Sequence, residues 1–167
     1  MIRQPGPPRK LEKSDDRADF SSGAEELDDW LRRYAWQNQV ANNATTYVTT
    51  DGSRVVGYYA IAMAAYEHSV APASLARHRP RQIPCILLAR LAVDRRWQSD
   101  GWGAELLRDA LVRSVGLSES IGAAAVLVHC RDDAARRFYL RHGDFLPSPV
   151  EPLHLFAPMK ALKTYVG

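Results

Sequence analysis

Apolar positions along this chain keep changing their period, and each change predicts an element. From Ala24 onward, Leu27, Trp30, Leu31 and Tyr34 recur at helical spacing. Ser21-Ser22-Gly23 precede them as capping candidates, and Glu25 and Glu26 fall in the first turn, where acids complement the helix dipole. Arg32 and Arg33 are then expected on the face away from the core. Residues 45–50 and 54–67 are rich in Val, Tyr, Thr and Ile and flank Asp51-Gly52, a pair suited to a tight hairpin turn; Gly57 inside the second run suggests a bulge. Residues 72–84 predict a loop with one helical turn. The run 85–93 (CILLARLAV) is almost continuously apolar, as in a strand covered on both faces.

Helical spacing returns at Leu107, Ala110, Leu111, Val115 and Ile121 and runs to Gly122, a fitting C-terminal cap. Residues 124–129 (AAVLVH) predict another buried strand. Asp132 and Asp133 open a helix over 134–142, Gly143 ends it, and 153–157 (LHLFA) reads as a last strand before Pro158. The order helix, hairpin, long strand, helix, strand, helix, strand predicts a mixed α/β domain around a central sheet. Residues 1–10, with three prolines and three cations, predict a flexible N-terminal arm, and residues 11–167 a single domain.

Composition narrows the class. The 167 residues are 46% hydrophobic and 25% charged, enough for one sizeable core. The apolar run 55–66 falls short of the roughly 20 residues a membrane-spanning helix needs, so no membrane partner is expected. Cys85 and Cys130 lack the spacing of a zinc or redox pair and predict buried, reduced thiols in a cytoplasmic protein. His68, His78, His142 and His154 show no metal-ligand spacing, and no metal is expected. His129 and Cys130 are neighbours on a strand, so they face opposite sides and cannot easily act as a nucleophile pair. Net charge is +3, but Arg77, Arg79, Arg81, Arg90, Arg95 and Arg96 stand against a single acid, Asp94, over twenty residues, which hints at a polyanion.

The most informative local feature is the bend Gln98-Ser-Asp-Gly101-Trp-Gly103, between a strand and a helix. Such a turn aims free backbone N–H groups and a helix dipole at one point. Ala104 and Glu105 stand where a nucleoside triphosphate loop needs Lys-Ser/Thr, and Leu106 stands where a dinucleotide loop needs its third glycine. The residues alone leave two readings: a metal-free phosphate cradle, or a plain turn between two core elements.

The bend resembles the Q/R-x-x-G-x-G/A pyrophosphate loop of the GNAT N-acetyltransferase superfamily, and Phe138-Tyr139 lies on a later helix where that superfamily keeps a tyrosine acid. FSSGAEELDDWLRRYAWQNQ, RVVGYYAIA, LARLAVDRRWQSDGWGAELLRDAL and ARRFYLRHGDFLPSPVEPLHLF together resemble the TacT-like GNAT toxins of toxin–antitoxin systems. The resemblance implies a mixed, mostly antiparallel sheet splayed between its fourth and fifth strands and flanked by helices. It implies acetyl-CoA as co-substrate, with the pantetheine arm on the backbone of Leu91, Ala92 and Val93 and the pyrophosphate on Gln98, Ser99, Asp100, Gly101, Trp102, Gly103 and Ala104. Asp100 would repel a pyrophosphate, so it should turn outward or cap the helix.

The same resemblance implies acetylation of the α-amine of aminoacyl-tRNA, which blocks translation, with Tyr139 as acid and a ribbon-helix-helix antitoxin and a homodimer as partners. No side chain announces itself as general base, and an α-amine, less basic than lysine, has less need of one. Candidate tRNA contacts are Arg32, Arg33, Arg77, Arg79, Arg81 and Arg90; Arg90, a charge in an apolar strand, must find a partner or line a cleft. The alternative acceptor is a protein or small-molecule amine, and a non-catalytic acyl-CoA or RNA regulator is a third reading. One departure stands out: the superfamily often has Gly-Phe after the tyrosine helix, whereas Asp144 here separates Gly143 from Phe145 and blurs the start of the next strand.

Overall fold

Asp51-Gly52 turns the chain as expected: β2 (Thr45–Asp51) pairs antiparallel with β3 (Arg54–Glu67), and Gly52 takes a left-handed φ of 62°. The computed structural model describes residues 4–166. Its strands are β1 (Arg9–Lys10), β2, β3, β4 (Gln82–Val93), β5 (Ala125–His129), β6 (Leu146–Pro147) and β7 (His154–Pro158), hydrogen-bonded in the order β1-β2-β3-β4-β5-β7-β6. β4 and β5 run parallel, while the pairings β1–β2, β2–β3, β5–β7 and β6–β7 are antiparallel, which makes the sheet mixed. The helices are α1 (Glu25–Asp29), α2 (Ala35–Val40), α3 (Ala73–Ala76), α4 (Trp102–Ser118), α5 (Asp133–His142) and α6 (Met159–Val166). Contacts divide the chain into two units, one of residues 1–62 with 89–109, the other of 63–88 with 110–167.

In the first unit a π-helical turn, Trp30–Tyr34, joins α1 to α2, and the Ala35 N–H reaches five residues back to the Trp30 carbonyl. The wider turn delays the helical phase. Leu31 and Ala35 are therefore fully buried, whereas Tyr34, expected on the core face from regular spacing, is 45% exposed. Tyr58 of β3 fills the centre of this core: Trp30 stacks on it at 6.1 Å, Phe20 meets it edge-on at 5.7 Å, and its hydroxyl donates to the Leu27 carbonyl at 2.6 Å.

Of the predicted arm, residues 1–3 lie outside the described residues, but the following stretch is bonded rather than free. Gly6 N–H reaches the Thr50 carbonyl, Thr49 Oγ1 donates to the Gly6 carbonyl, and Arg9 and Lys10 pair with Val48 and Tyr47. A two-residue edge strand carries no apolar period, so composition alone reads as an arm.

In the second unit β4 pairs with β5 from Cys85 to Leu88, β5 pairs with β7, and the core gathers Tyr66, Leu75, Ile83, Cys85, Leu127 and Phe156. Here α4 stops at Ser118, short of the expected Gly122, and two elements the pattern did not predict appear, β6 and α6.

The expected bulge is present, since the β2–β3 register shifts between Thr49 and Thr50, opposite Gly57. Packing requires the glycine as well: a Cβ at Gly57 would meet Leu106 Cδ1 at 2.8 Å and the Ala92 carbonyl oxygen at 3.2 Å. Gly57→Ala is expected to lower the stability by about 1–3 kcal/mol through overpacking. Urea denaturation would show this as a lower midpoint at unchanged m-value, and an unaltered midpoint would refute it.

Candidate active site

Asp94, at the end of β4, is 1% exposed and shapes everything that follows it. Its Oδ2 accepts the Ser21 N–H at 3.1 Å and its Oδ1 the Arg96 N–H at 3.0 Å, while the Arg96 guanidinium donates to both oxygens at 2.9 and 3.0 Å. Burial by itself would raise the Asp94 pKa; the Arg96 side chain, then the Arg96 and Ser21 N–H groups, outweigh it and hold the carboxyl below its ordinary value. Gln98 fastens the other end of the turn, its Nε2 donating to the Ser22 carbonyl at 2.7 Å and the Val93 carbonyl at 2.8 Å.

Between these anchors the backbone is wound into an uncommon conformation. Ser99 has φ 69° and Gly101 φ 87°, both left-handed, and nothing lies within 4 Å of where a Gly101 Cβ would stand. The Glu105 N–H closes onto the Gly101 carbonyl at 3.1 Å, so the N–H groups of Trp102, Gly103 and Ala104 belong to the first turn of α4 and have no acceptor within the helix. Free N–H groups at the positive end of a long helix suit an anion, with no cationic side chain needed. Asp100 is exposed and among the described residues caps no helix N–H, so of the two expected positions it takes the outward one.

Strand alternation orients Leu91, Ala92 and Val93. The Ala92 carbonyl and the Asp94 N–H point toward β3, the latter bonded to the Val56 carbonyl at 2.8 Å. The Leu91 and Val93 peptide groups therefore point to the opposite edge. There the Val93 carbonyl is taken by Gln98, which leaves the Val93 N–H directed away from β3.

Tyr139 belongs to the second unit. The Asp132 side chain caps its helix α5 by accepting the Ala135 N–H at 2.8 Å. Tyr139 is 7% exposed, lies edge-on to Phe145 at 5.9 Å, and its hydroxyl makes no hydrogen bond among the described residues. Burial, and secondarily Cys130, pushes its pKa well above the ordinary tyrosine value. A phenol that stays protonated has a proton to donate and cannot act as a base. The departure at Asp144 leaves this arrangement intact: a Cβ at Gly143 would collide with the Phe145 ring at 2.5 Å, so glycine lets Phe145 fold back beside Tyr139, and β6 starts at Leu146.

Residues 42–143 match the acetyltransferase (GNAT) domain family. The chain belongs to the GNAT acetyltransferases. The GNAT chain is 46% identical over 160 residues to a tRNA-acetylating toxin of Mycobacterium tuberculosis, covering 96% of each. Its fold is similar to that of AtaT complexed with acetyl-methionyl-tRNAfMet, with a TM-score of 0.87 at 26% identity and coverage of 96% of this chain and 98% of that one. It is also similar to a mutant AtaT toxin bound to acetyl-CoA and the C-terminus of the antitoxin AtaR, with a TM-score of 0.81, 27% identity and coverage of 95% and 96%.

The six arginines that are candidate tRNA contacts of this GNAT acetyltransferase differ in what holds them. Arg32 does not point away from the core as expected; it donates to the Phe20 carbonyl, to Asp29 at 3.1 Å and to Glu25 at 3.3 Å, which makes it a pin for its own helix. Arg33 and Arg77 are exposed, Arg79 bonds the Leu75 carbonyl, and Arg81 lies 3.7 Å from Glu67. Arg90 is half-buried, with its guanidinium carbon 4.4 Å from the centre of the Trp30 ring. Arg32, Arg33, Arg90 and the loop lie in the first unit, and Tyr139, Arg77, Arg79 and Arg81 in the second.

Burial raises both Cys85 and Cys130 to about 11, which keeps them thiols at neutral pH. His129 is exposed while Cys130 is buried, as strand alternation requires, and the His129 ring stacks on His154 at 4.1 Å. No helix of the described residues is long and apolar enough to cross a membrane, and no metal-binding cluster occurs among them.

The sequence pattern shows Asp94 only as a lone acid among arginines, whereas its carboxylate ties three segments together; the Gln98 side-chain amide is occupied by the Ser22 and Val93 carbonyls. An acid directly after a buried strand and before two arginines was the available signal.

The depressed Asp94 pKa sets a direction for acid stability. Its contribution is present above the unfolded value near 3.8 and disappears as pH falls through the folded value. Asp15, depressed in the same direction against burial by Arg9, adds to that loss. Asp94→Asn should lower the urea midpoint at neutral pH and flatten its decline below about pH 4. An acid limb identical to that of the natural chain would show that Asp94 does not lock the loop.

Proposed function

We propose that this acetyltransferase moves the acetyl group of acetyl-CoA to the free α-amine of aminoacyl-tRNA, stopping translation as a toxin held in check by a cognate antitoxin. The observation that carries this reading is its 46% identity, along 96% of the chain, with a tRNA-acetylating toxin. Support comes also from the AtaT folds found with acetyl-methionyl-tRNA and with acetyl-CoA and antitoxin. The finer proposals are a cytoplasmic site of action, a ribbon-helix-helix antitoxin and a homodimeric toxin.

The pyrophosphate of acetyl-CoA rests on the N–H groups of Gly101, Trp102, Gly103 and Ala104, with Ser99 and Asp100 shaping the turn and Gln98 holding it shut. The pantetheine arm follows the Leu91–Val93 backbone edge. The neutral amine attacks the thioester carbonyl, a C–N bond forms, and the Val93 N–H stabilises the oxyanion. The intermediate collapses with rupture of the C–S bond; Tyr139 gives its proton to the departing sulfur and regains one from solvent, which also takes the proton shed by the amine. Burial suits Tyr139 to this part, because a neutral phenol remains available as donor wherever the amine is unprotonated.

Tyr139→Phe is expected to lower kcat roughly a hundredfold or more, the usual contribution of a positioned acid, with the KM for acetyl-CoA little changed. Thiol release with charged tRNA gives the rate, and mass spectrometry of digested tRNA identifies N-acetyl-aminoacyl-adenosine. A variant with full activity would remove Tyr139 from the mechanism. A natural chain that releases thiol with a protein or small amine but leaves aminoacyl-tRNA unmodified would overturn the substrate.

A further inference from the structure

We propose that Arg90, seated on Trp30, binds a backbone phosphate of the acceptor RNA and so positions the substrate; this rests on the aminoacyl-tRNA reading above. Three layers build the seat. Tyr58 is buried, Trp30 lies almost parallel to it at an interplanar angle of 13°, and the Arg90 guanidinium covers the indole at 4.4 Å. The stack takes one face of the guanidinium and leaves its N–H edges, which are the groups that grip a phosphate in a bidentate fork.

Those edges find no acceptor among the described residues, although Arg90 is half-buried. Three other arginines of the same unit are ion-paired: Arg9 lies on Asp15, Arg32 on Asp29 and Arg96 on Asp94. The groups that face the stack are Tyr58, whose pKa Arg90 lowers against burial, and Asp28, which raises it. Neither takes the charge. The Tyr58 hydroxyl donates to Leu27, and both Asp28 oxygens accept from Ser22. A half-buried cation with unused donors lacks the counter-charge that a bound anion would supply.

The backbone beneath the seat is a second observation. Trp30 opens the π-helical turn, a rare irregularity found often at functional sites, and that turn separates the phase of Trp30 from that of the core residue Ala35. Phosphate could come from RNA or from the coenzyme. The side chain of Arg90 packs on the helix that carries Trp30, while the pyrophosphate cradle is built from backbone N–H groups at the start of α4, which favours RNA.

The test uses Arg90→Gln, Arg90→Lys and Trp30→Leu in the full chain, with thermal melting as the check on folding. Filter binding of uncharged tRNA is measured across a salt series, and the KM for acetyl-CoA with charged tRNA. Arg90→Gln should weaken tRNA binding roughly tenfold and reduce the slope of log K against log salt by about one, the signature of one lost phosphate contact. Arg90→Lys, a cation without the fork, should keep the slope and lose part of the affinity. Trp30→Leu should weaken tRNA binding with the charge still present, and the KM for acetyl-CoA should not move in any variant. Unchanged tRNA affinity and slope in Arg90→Gln would overturn the proposal, as would a rise confined to the KM for acetyl-CoA, which would assign Arg90 to the coenzyme. A natural chain that binds tRNA without acetylating its charged form would refute the activity and leave this measurement decisive.

Discussion

The buried Asp94 carboxylate is the constraint on which the 95–104 loop depends. One group joins three segments: the end of β4, the 20–22 turn through Ser21, and the start of the loop through Arg96. Isolating an ionised carboxylate from water is costly, and it is tolerated because four donors surround it with good geometry. Gln98 completes the closure by bridging Ser22 and Val93. The left-handed residues Ser99 and Gly101 then sit between two fixed ends, so the chain's own bonds hold the loop in shape.

That preorganisation divides the chemistry between backbone and side chain. The proposed phosphate cradle uses peptide N–H groups and a helix dipole, which need no titrating cation and tolerate varied side chains at the exposed positions. The proposed acid, Tyr139, uses the opposite device, a single phenol withdrawn from water so that it does not ionise. On the proposed reading, the coenzyme is held by backbone groups that specific side chains lock in place, and the proton transfer rests on one residue.

Much of this was legible in the chain because local rules and the tertiary fold agree. Asp51-Gly52, the apolar run 85–93 and Asp132 at the start of α5 each carry a local signal that the fold honours, and the glycines of the 98–104 bend mark the turn into α4. What stayed hidden depends on partners distant in sequence. Arg32 reaches twelve residues back to Phe20, Asp94 contacts Ser21 across seventy-three, and β1 exists only because β2 offers it an edge. Tyr34 was misread for another reason, since period counting assumes a regular helix and a π-turn breaks that assumption within a single turn.

The π-turn also gives one short helix two independent alignments. A regular helix is a rigid gear: rotating one residue toward a neighbour rotates every other by the same angle. The wider turn acts as a clutch between its halves, letting Trp30 be aimed at Arg90 of β4 while Ala35 stays buried in the core and Trp36 packs against it. Sequence drift on one half can therefore retune what Trp30 supports without loosening the packing of the other.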